Sequence, residues 1–344
     1  MKKFTKYLLI FLIMATMAYG DQGRAGAQFL KIFPGVYGTA LGGASSILNE
    51  SPEVVFWNPA GLNDIKNISA TFSHADYFTG IKYENIALVV PTSMGVFSIH
   101  GTGLLSGDIR ETTVDEPDGT GHYYTANDFN FGIAYGRQMT DKFSVGVSFK
   151  GIAQNIDKVN AFGLAFDAGA KYNTGLPGNL SFAFTIHNFG PDMQYTGEGL
   201  QGTKSLTDNP FEEEDVKYEY VSDTYPLPLS FSYAVSAEYP LSETQTVGMS
   251  LENWQIKDLK EVYRLGVTWK YDGLLYLAAG HANLKRLFNP DIAYRDVNGS
   301  MKSLTLGAGL NVGYFGSRSL WVKYAWEAHE YLQGINRFGL DISF

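Results

Sequence analysis

From about residue 67 onward, large apolar side chains recur at every second position in stretches of roughly ten residues, the length of a membrane-crossing strand. In DFNFGIAYG, Phe129, Phe131, Ile133 and Tyr135 share one face, opposite Asn130, Gly132, Ala134 and Gly136. FSVGVSFK sets Phe143, Val145, Val147 and Phe149 against Ser144, Gly146, Ser148 and Lys150. LSFAFTIH, LSFSYAVSAEY, YRLGVTWKY and LTLGAGLNV repeat the pattern from Leu180, Leu229, Tyr263 and Leu304. The last segment, RFGLDISF, points Phe338, Leu340, Ile342 and Phe344 one way and Arg337, Gly339, Asp341 and Ser343 the other. A two-residue period puts alternate side chains on opposite faces of a strand, so the chain is predicted to be all-β.

The second face decides the solvent. In a soluble sandwich it would be rich in Lys, Glu and Thr. Here it is mostly Gly, Ala and Ser, with single charges at Lys150, Asp167, Lys171, Arg264, Lys270, Lys323, Arg337 and Asp341. Small residues and paired charges suit the interior of a closed cylinder, and Tyr135, Tyr172, Tyr239 and Tyr271 near strand ends suit interfacial girdles. A sheet facing lipid must close, because unpaired backbone groups are costly in hydrocarbon. The prediction is a transmembrane antiparallel β-barrel of about fourteen strands, the last pairing with the first through Phe338, Leu340, Ile342 and Phe344. The inward charges are expected to form a static ion-pair network, since a filled lumen must pair them.

Fourteen segments begin near residues 67, 83, 94, 128, 143, 161, 179, 228, 243, 261, 273, 302, 318 and 334. The long connections, Ser106–Asn127, Asn188–Pro226 and Lys285–Met301, follow odd-numbered segments, while PTSM, MTDK and YDG follow even ones. Short turns on one side and long loops on the other are expected with both termini periplasmic. Slipping the count by one hairpin preserves this parity, so twelve or sixteen strands also satisfy it.

Composition agrees with this reading. The chain has 38 Gly, 22 Tyr and 23 Phe, only 18% charged residues, and a mean hydropathy of −0.11. It opens with MKKFTKYLLIFLIMATMAYG, in which Lys2, Lys3 and Lys6 precede an apolar run and the small residues Ala18 and Gly20. Residues 1–20 are read as a signal peptide, too short in its apolar core for the roughly 20 residues of a spanning helix. The formal charge is −9, or −12 without the three leader lysines, which argues against a nucleic-acid partner. The absence of cysteine excludes disulfides and thiol chemistry. The expected location is the outer membrane of a diderm bacterium, with outer-membrane lipid and the barrel-assembly machinery as partners.

Residues 21–66 do not alternate. They carry Phe29, Leu30, Ile32, Phe33, Val54, Val55, Phe56 and Trp57 among turn signals at Pro34-Gly35, Gly42-Gly43 and Asn58-Pro59. A segment this apolar is not a disordered tail, and the lumen of the 67–344 barrel is the place to bury it. Asn-Pro favours a turn, and Gly42 and Gly43 permit close backbone approach to the wall.

The run GTALGGASSILNESPEVVFWNPAGL resembles the N-terminal signature of the PorV/PorQ family and, more loosely, that of the long-chain fatty-acid transporter FadL. The resemblance implies a hatch formed by Trp57, Asn58, Pro59, Ala60, Gly61 and Leu62 in a fourteen-stranded barrel. It also implies that the aromatic C-terminus, ending at Phe344, serves as the signal for barrel insertion. The spacer NESPE departs from the family pattern in its proline and lower acidity.

Motifs for chemistry are sparse. His74, His100, His122, His187, His281 and His329 occur singly, without metal spacing. No G-x-S-x-G elbow occurs, and GTGLLSG at Gly101 lacks the spacing and lysine of a phosphate loop. The loop stretches VDEPDGTG and NPFEEED offer carboxylates to Ca²⁺, though solvated acidic tips are the plainer reading. No enzymatic activity, cofactor or metal is expected.

Two functions remain beside the blander option of a barrel with only a structural or assembly role. Resemblance to the PorV/PorQ family implies type IX protein secretion, with secreted proteins and secretion-system components docking on long loops bearing Tyr195, Phe211, Tyr218, Tyr220 and Tyr225. The FadL-like alternative is a channel for hydrophobic small molecules such as long-chain fatty acids. Its ligand pocket would be lined by Phe29, Leu30, Phe33, Phe56 and Trp57.

Overall fold

The structure, a computed structural model, describes residues 24–47, 51–205, 215–257, 261–284, 302–314, 316, 318–329 and 334–344. The leader at 1–20 lies outside these residues, as does the stretch NPFEEE.

Fourteen strands form the barrel: β1 (Ser69–Asp76), β2 (Lys82–Thr92), β3 (Gly95–Leu105), β4 (Ala126–Thr140), β5 (Phe143–Ile156), β6 (Val159–Asn173) and β7 (Ser181–Phe189). The second half comprises β8 (Ser230–Pro240), β9 (Gln245–Ile256), β10 (Val262–Tyr271), β11 (Leu275–His281), β12 (Lys302–Asn311), β13 (Ser319–His329) and β14 (Ile335–Ser343). Each pairs antiparallel with its neighbours in sequence, and β14 closes the cylinder on β1 with Ser69 opposite Ser343 and Asp76 opposite Asn336. The backbone amide of Phe344 adds a bond to the carbonyl of Ile68, at 2.9 Å. Closure leaves no sheet edge to be solvated. Fourteen is the predicted number, and the long connections follow odd strands throughout. Short hairpins occur within two of them, at Ile109–Arg110 with Tyr123–Tyr124 and at Gln201–Ser205 with Asp215–Glu219.

The alternation becomes two surfaces. Phe131, Ile133, Phe149, Phe162, Leu164, Met249 and Phe338 point outward and are exposed. This apolar belt is uncovered among the described residues and suits lipid. Tyr172, Tyr239 and Tyr271 sit on the same face near the short-turn end, as interfacial anchors should. Inward positions are small or paired. Every inward charge named from alternation lies inside and has an opposite partner: Lys150–Asp167 at 2.9 Å, Lys171–Asp64 at 2.6 Å and Lys270–Glu238 at 3.0 Å. Arg264–Glu252 stand 3.6 Å apart, Arg337–Glu327 3.3 Å, and Lys323–Asp341 2.6 Å.

Residues 24–47 and 51–65 run inside the cylinder as a plug. Its regular elements are one or two turns long: Gln28–Lys31, Tyr37–Ala40, Val54–Trp57 and Pro59–Asp64. Turns this short are marginal alone, so their conformation rests on the wall around them. Val36, Ala40, Ala44, Val54, Ala60 and Leu62 have no exposed surface at all. The plug begins at the long-loop end, where Gly26 donates to the Pro226 carbonyl at 3.0 Å, and finishes at the short-turn end, where β1 starts. Arg24 and Phe344 therefore lie at opposite ends of the barrel; the expectation for the two termini rests on residues before Arg24, which lie outside the described ones.

Candidate functional site: the plug and its chambers

The motif WNPAGL seats the plug. Asn58 is fully buried; its Oδ1 accepts from Ala60 N at 2.9 Å and its Nδ2 donates to the Ser46 carbonyl at 2.7 Å. It thus caps Pro59–Asp64, with Pro59 at the first helical position where a missing N–H costs nothing. The wall opposite is glycine. A Cβ on Gly146 would overlap the Pro59 carbonyl and Ala60 N, one on Gly169 would overlap Asn58, and one on Gly136 would press on Leu62. The motif is accordingly both a turn leading into β1 and a hatch contact. Gly42 plays the same part elsewhere, its positive φ of 63° setting its backbone against Gly280 and His281.

Glu53, from the NESPE spacer, is the centre of the plug. It is inaccessible to solvent and accepts from the amides of Val36, at 3.0 Å, and Tyr37, at 2.9 Å, while pairing with Lys323 of β13. Ser51 in the same spacer donates to Asp341 Oδ2 at 2.8 Å. Ser45 and Ser46 donate their amides to Glu252 Oε2, each at 2.9 Å. The spacer is thus bound to β13 and β14, and the Ser45 and Ser46 amides ahead of it to β9, through buried charges.

Between the 30–34 arm and the Val54–Trp57 turn lies a chamber of about 90 Å³. Leu30, Ile32, Phe33, Phe56 and Trp57 supply its apolar side, and the wall supplies Lys150, Asp167, His187, Asn188, Glu252 and Arg264. Four of the five residues proposed from sequence to line a ligand pocket meet here. Phe29 does not. It is buried against Ile152, Ala161, Ala165, Met193 and Leu227, because the arm turns its first aromatic toward the wall. The chamber is well below the 300–1,000 Å³ of ordinary small-molecule pockets.

The polar side of the chamber depends on a bulge in β7. The pairing of β6 with β7 slips between Phe166/Ala168, and Asn188 has φ of 60°. His187 and Asn188 consequently both face inward, and Phe189 returns to the outer surface. The result is a cluster. Asp167 holds Lys150, His187 Nδ1 at 3.3 Å and the Asn188 amide at 2.8 Å. Lys150 also donates to Asn188 Oδ1 at 2.6 Å, and His187 Nε2 donates to the Trp57 carbonyl at 2.9 Å, tying wall to plug. Bulges re-aim side chains in this way. The sequence carries a trace of it: outward apolar positions 182, 184 and 186 are followed by Phe189, a step of three.

The loop between β7 and β8 covers the long-loop mouth. Met193 and Tyr225 exchange backbone hydrogen bonds at 2.9 Å, and the Tyr225 hydroxyl donates to Gln154 Oε1 at 2.9 Å. Burial, with Tyr195 beside it, raises the ionisation of Tyr225 well above the ordinary phenol range, so it stays a neutral donor at physiological pH.

No catalytic relay is assembled at the Ser–His pair in the lumen. Ser148 Oγ stands 3.4 Å from His100 Nε2, but His100 Nδ1 has no hydrogen-bond partner among the described residues. Among the described residues, no three His, Asp or Glu side chains converge as metal ligands. VDEPDGTG lies in an exposed loop where Arg110 donates to the Asp118 carbonyl.

No family model matches the chain, and comparison with curated proteins gives no match. Solved structures do match. A Pseudomonas aeruginosa FadL homologue is 13% identical, with 91% of this chain and 99% of that chain covered and a TM-score of 0.53. The Pseudomonas putida toluene transporter TodX is 10% identical over 95% and 98%, with a TM-score of 0.55. The CymD monoaromatic hydrocarbon channel is 12% identical over 90% and 98%, with a TM-score of 0.54. At these identities the likeness is one of fold. The chain has the architecture of FadL-like outer-membrane barrels.

Proposed function

We propose that this protein is an outer-membrane channel for small hydrophobic molecules, gated by residues 24–65. The observation that carries this reading is the chamber itself. An apolar surface of Leu30, Phe33, Phe56 and Trp57 lies within the plug, directly under the long-loop mouth. The structural neighbours named as toluene transporter and hydrocarbon channel support the same reading, as the sequence alternative had it. The short turns face the periplasm on this reading, and the aromatic terminus at Phe344 is the feature the assembly machinery reads. Phe344→Ser should then lower insertion in cells while leaving refolding into synthetic lipid unchanged.

A covalent lock tests the gate. Ser46 Oγ in the plug and Ser232 Oγ in β8 are 3.0 Å apart, and the chain has no native cysteine. Ser46→Cys with Ser232→Cys should stop uptake of a radiolabelled monoaromatic or fatty acid when oxidised and restore it on reduction. Uptake persisting through the oxidised lock, or missing from the wild type, overturns the proposal.

The docking reading keeps one observation in its favour: Tyr218, Tyr220 and Val221 are exposed beside the Gln201–Ser205 hairpin. Deleting residues 200–222 would abolish capture of secreted proteins if it holds. Normal secretion by that strain would end it.

A further inference from the structure

The outward face of β5 to β10 carries a groove of about 500 Å³, within the range of small-molecule sites. Strand pairing sets its sides. Phe143 of β5 stands opposite Tyr172 of β6, Tyr172 opposite Phe182 of β7, and Phe182 opposite Val235 of β8. Two residues along, Ala170 of β6 stands opposite Phe184 of β7. Ala170 and Val235 are small among these rings, which leaves a hollow over them. Phe143, Tyr172 and Phe182 are exposed, so the groove opens outward through the belt and not into the lumen.

Its surroundings say what fills it. The groove is continuous with the lipid-facing belt, and an unfilled hollow in hydrocarbon forfeits dispersion contacts along its lining. The solvent at hand is the acyl chain. A smooth wall touches such a chain on one side, whereas the hollow touches it on several.

The short-turn end of the groove carries a cation. Lys142 directly precedes Phe143 and is exposed. Its ammonium donates to the Thr174 carbonyl at 2.7 Å, which holds it across the short-turn ends of β5 and β6. No carboxylate pairs with it among the described residues. Tyr172, on the strand beside it, is one of the interfacial anchors, so the charge sits at the level of the lipid headgroups.

We propose that this groove is a specific site for a phospholipid, with the phosphate on Lys142 and one acyl chain laid past Tyr172 and Phe182 over Val235. Charge at the interface and an apolar hollow leading from it match the two ends of one molecule. Lysine offers a phosphate a point charge and not a fork, so charge holds the headgroup and shape holds the chain. The site goes beyond the channel reading and stands without it, since it needs only that the belt lies in lipid.

Native mass spectrometry of the full chain in mild detergent, titrated with dioleoyl phosphatidylglycerol, tests the site. The wild type should retain one lipid. Lys142→Ala should weaken retention roughly two- to tenfold, the worth of an exposed charge-assisted bond, and Lys142→Arg should restore it. Val235→Trp fills the hollow and should abolish retention, while Ile86→Trp, on the exposed outward face of β2, should not. Both replace outward-facing apolar side chains by another, and heat-shift electrophoresis checks that both barrels fold. Phosphatidylglycerol with a diazirine in its acyl chain should label β6 to β8 in the wild type and lose that labelling in Val235→Trp. Equal retention by wild type and Val235→Trp, no effect of Lys142→Ala, or labelling spread evenly around the barrel overturns the proposal. A wild-type dimer that excludes the lipid and falls apart in Val235→Trp overturns it too, and gives the groove to a second copy of the chain.

Discussion

Lys323 of β13 forms an ion pair with Glu53 of the plug, and both side chains are sealed from solvent, at 1% and 0% exposure. The same ammonium reaches Asp341 of β14, so one lysine joins the lumenal segment to the strand that closes the barrel. A buried charge stripped of its partner is far worse than a pair replaced together. Glu53→Ala should therefore lower stability by about 3–5 kcal/mol, read as a reduced urea midpoint in lipid vesicles, and should raise pore conductance as the plug loosens. Glu53→Gln combined with Lys323→Met should recover part of the loss. A single variant indistinguishable from wild type would show that the pair does not hold the plug.

The glycine seats of the plug can be tested separately from the barrel. Gly146→Val places a branched side chain where Pro59 and Ala60 lie, whereas the nearest neighbour of a Cβ on outward-facing Gly151 is the Phe162 ring at 3.5 Å, an ordinary contact. Both variants should fold as barrels on heat-shift electrophoresis. Only Gly146→Val should open residues 24–65 to protease and increase conductance. Equal protease protection in both would place the hatch contact elsewhere.

The bulge at Asn188 makes a backbone prediction. Its φ of 60° is costly for alanine and free for glycine. Both substitutions remove the side-chain bonds to Lys150 and to the Pro228 carbonyl. Asn188→Ala should thus be less stable than Asn188→Gly by about 1–2 kcal/mol in denaturant titrations. The opposite order would mean that this position relaxes out of the left-handed region.

Lipid exposure predicts a gradient with depth. Ile133 lies in the middle of β4 and Met139 near its short-turn end, and both are 58% exposed. Ile133→Arg should cost about 2–4 kcal/mol and Met139→Arg about 0–1 kcal/mol, measured by reversible folding into vesicles. Equal costs would argue that this face is not in hydrocarbon.

Some of this was legible from single residues. Phe131 and Gly132 lie on opposite faces because a strand leaves them no choice, and that rule applied segment by segment located all fourteen strands. It also put Lys150, Asp167 and Arg337 inside. The plug was legible only as an apolar segment needing burial. Its residues obey no period, and helical turns of four to six residues carry no pattern long enough to read. Hence Phe29 was grouped with Phe33 although the arm points them apart, and Glu53 passed as one acidic residue in a spacer.

By itself the sequence determined the barrel, its alternation and the side of the membrane each connection shares, because a period of two is a local property that survives without knowledge of the partner strand. Only the tertiary structure decided which glycine receives Asn58, which lysine receives Glu53, and that a bulge turns both His187 and Asn188 into the lumen. These pairings join residues more than a hundred positions apart, or depend on a slip in register. They are fixed by how the closed cylinder fills its own interior, which no local pattern records.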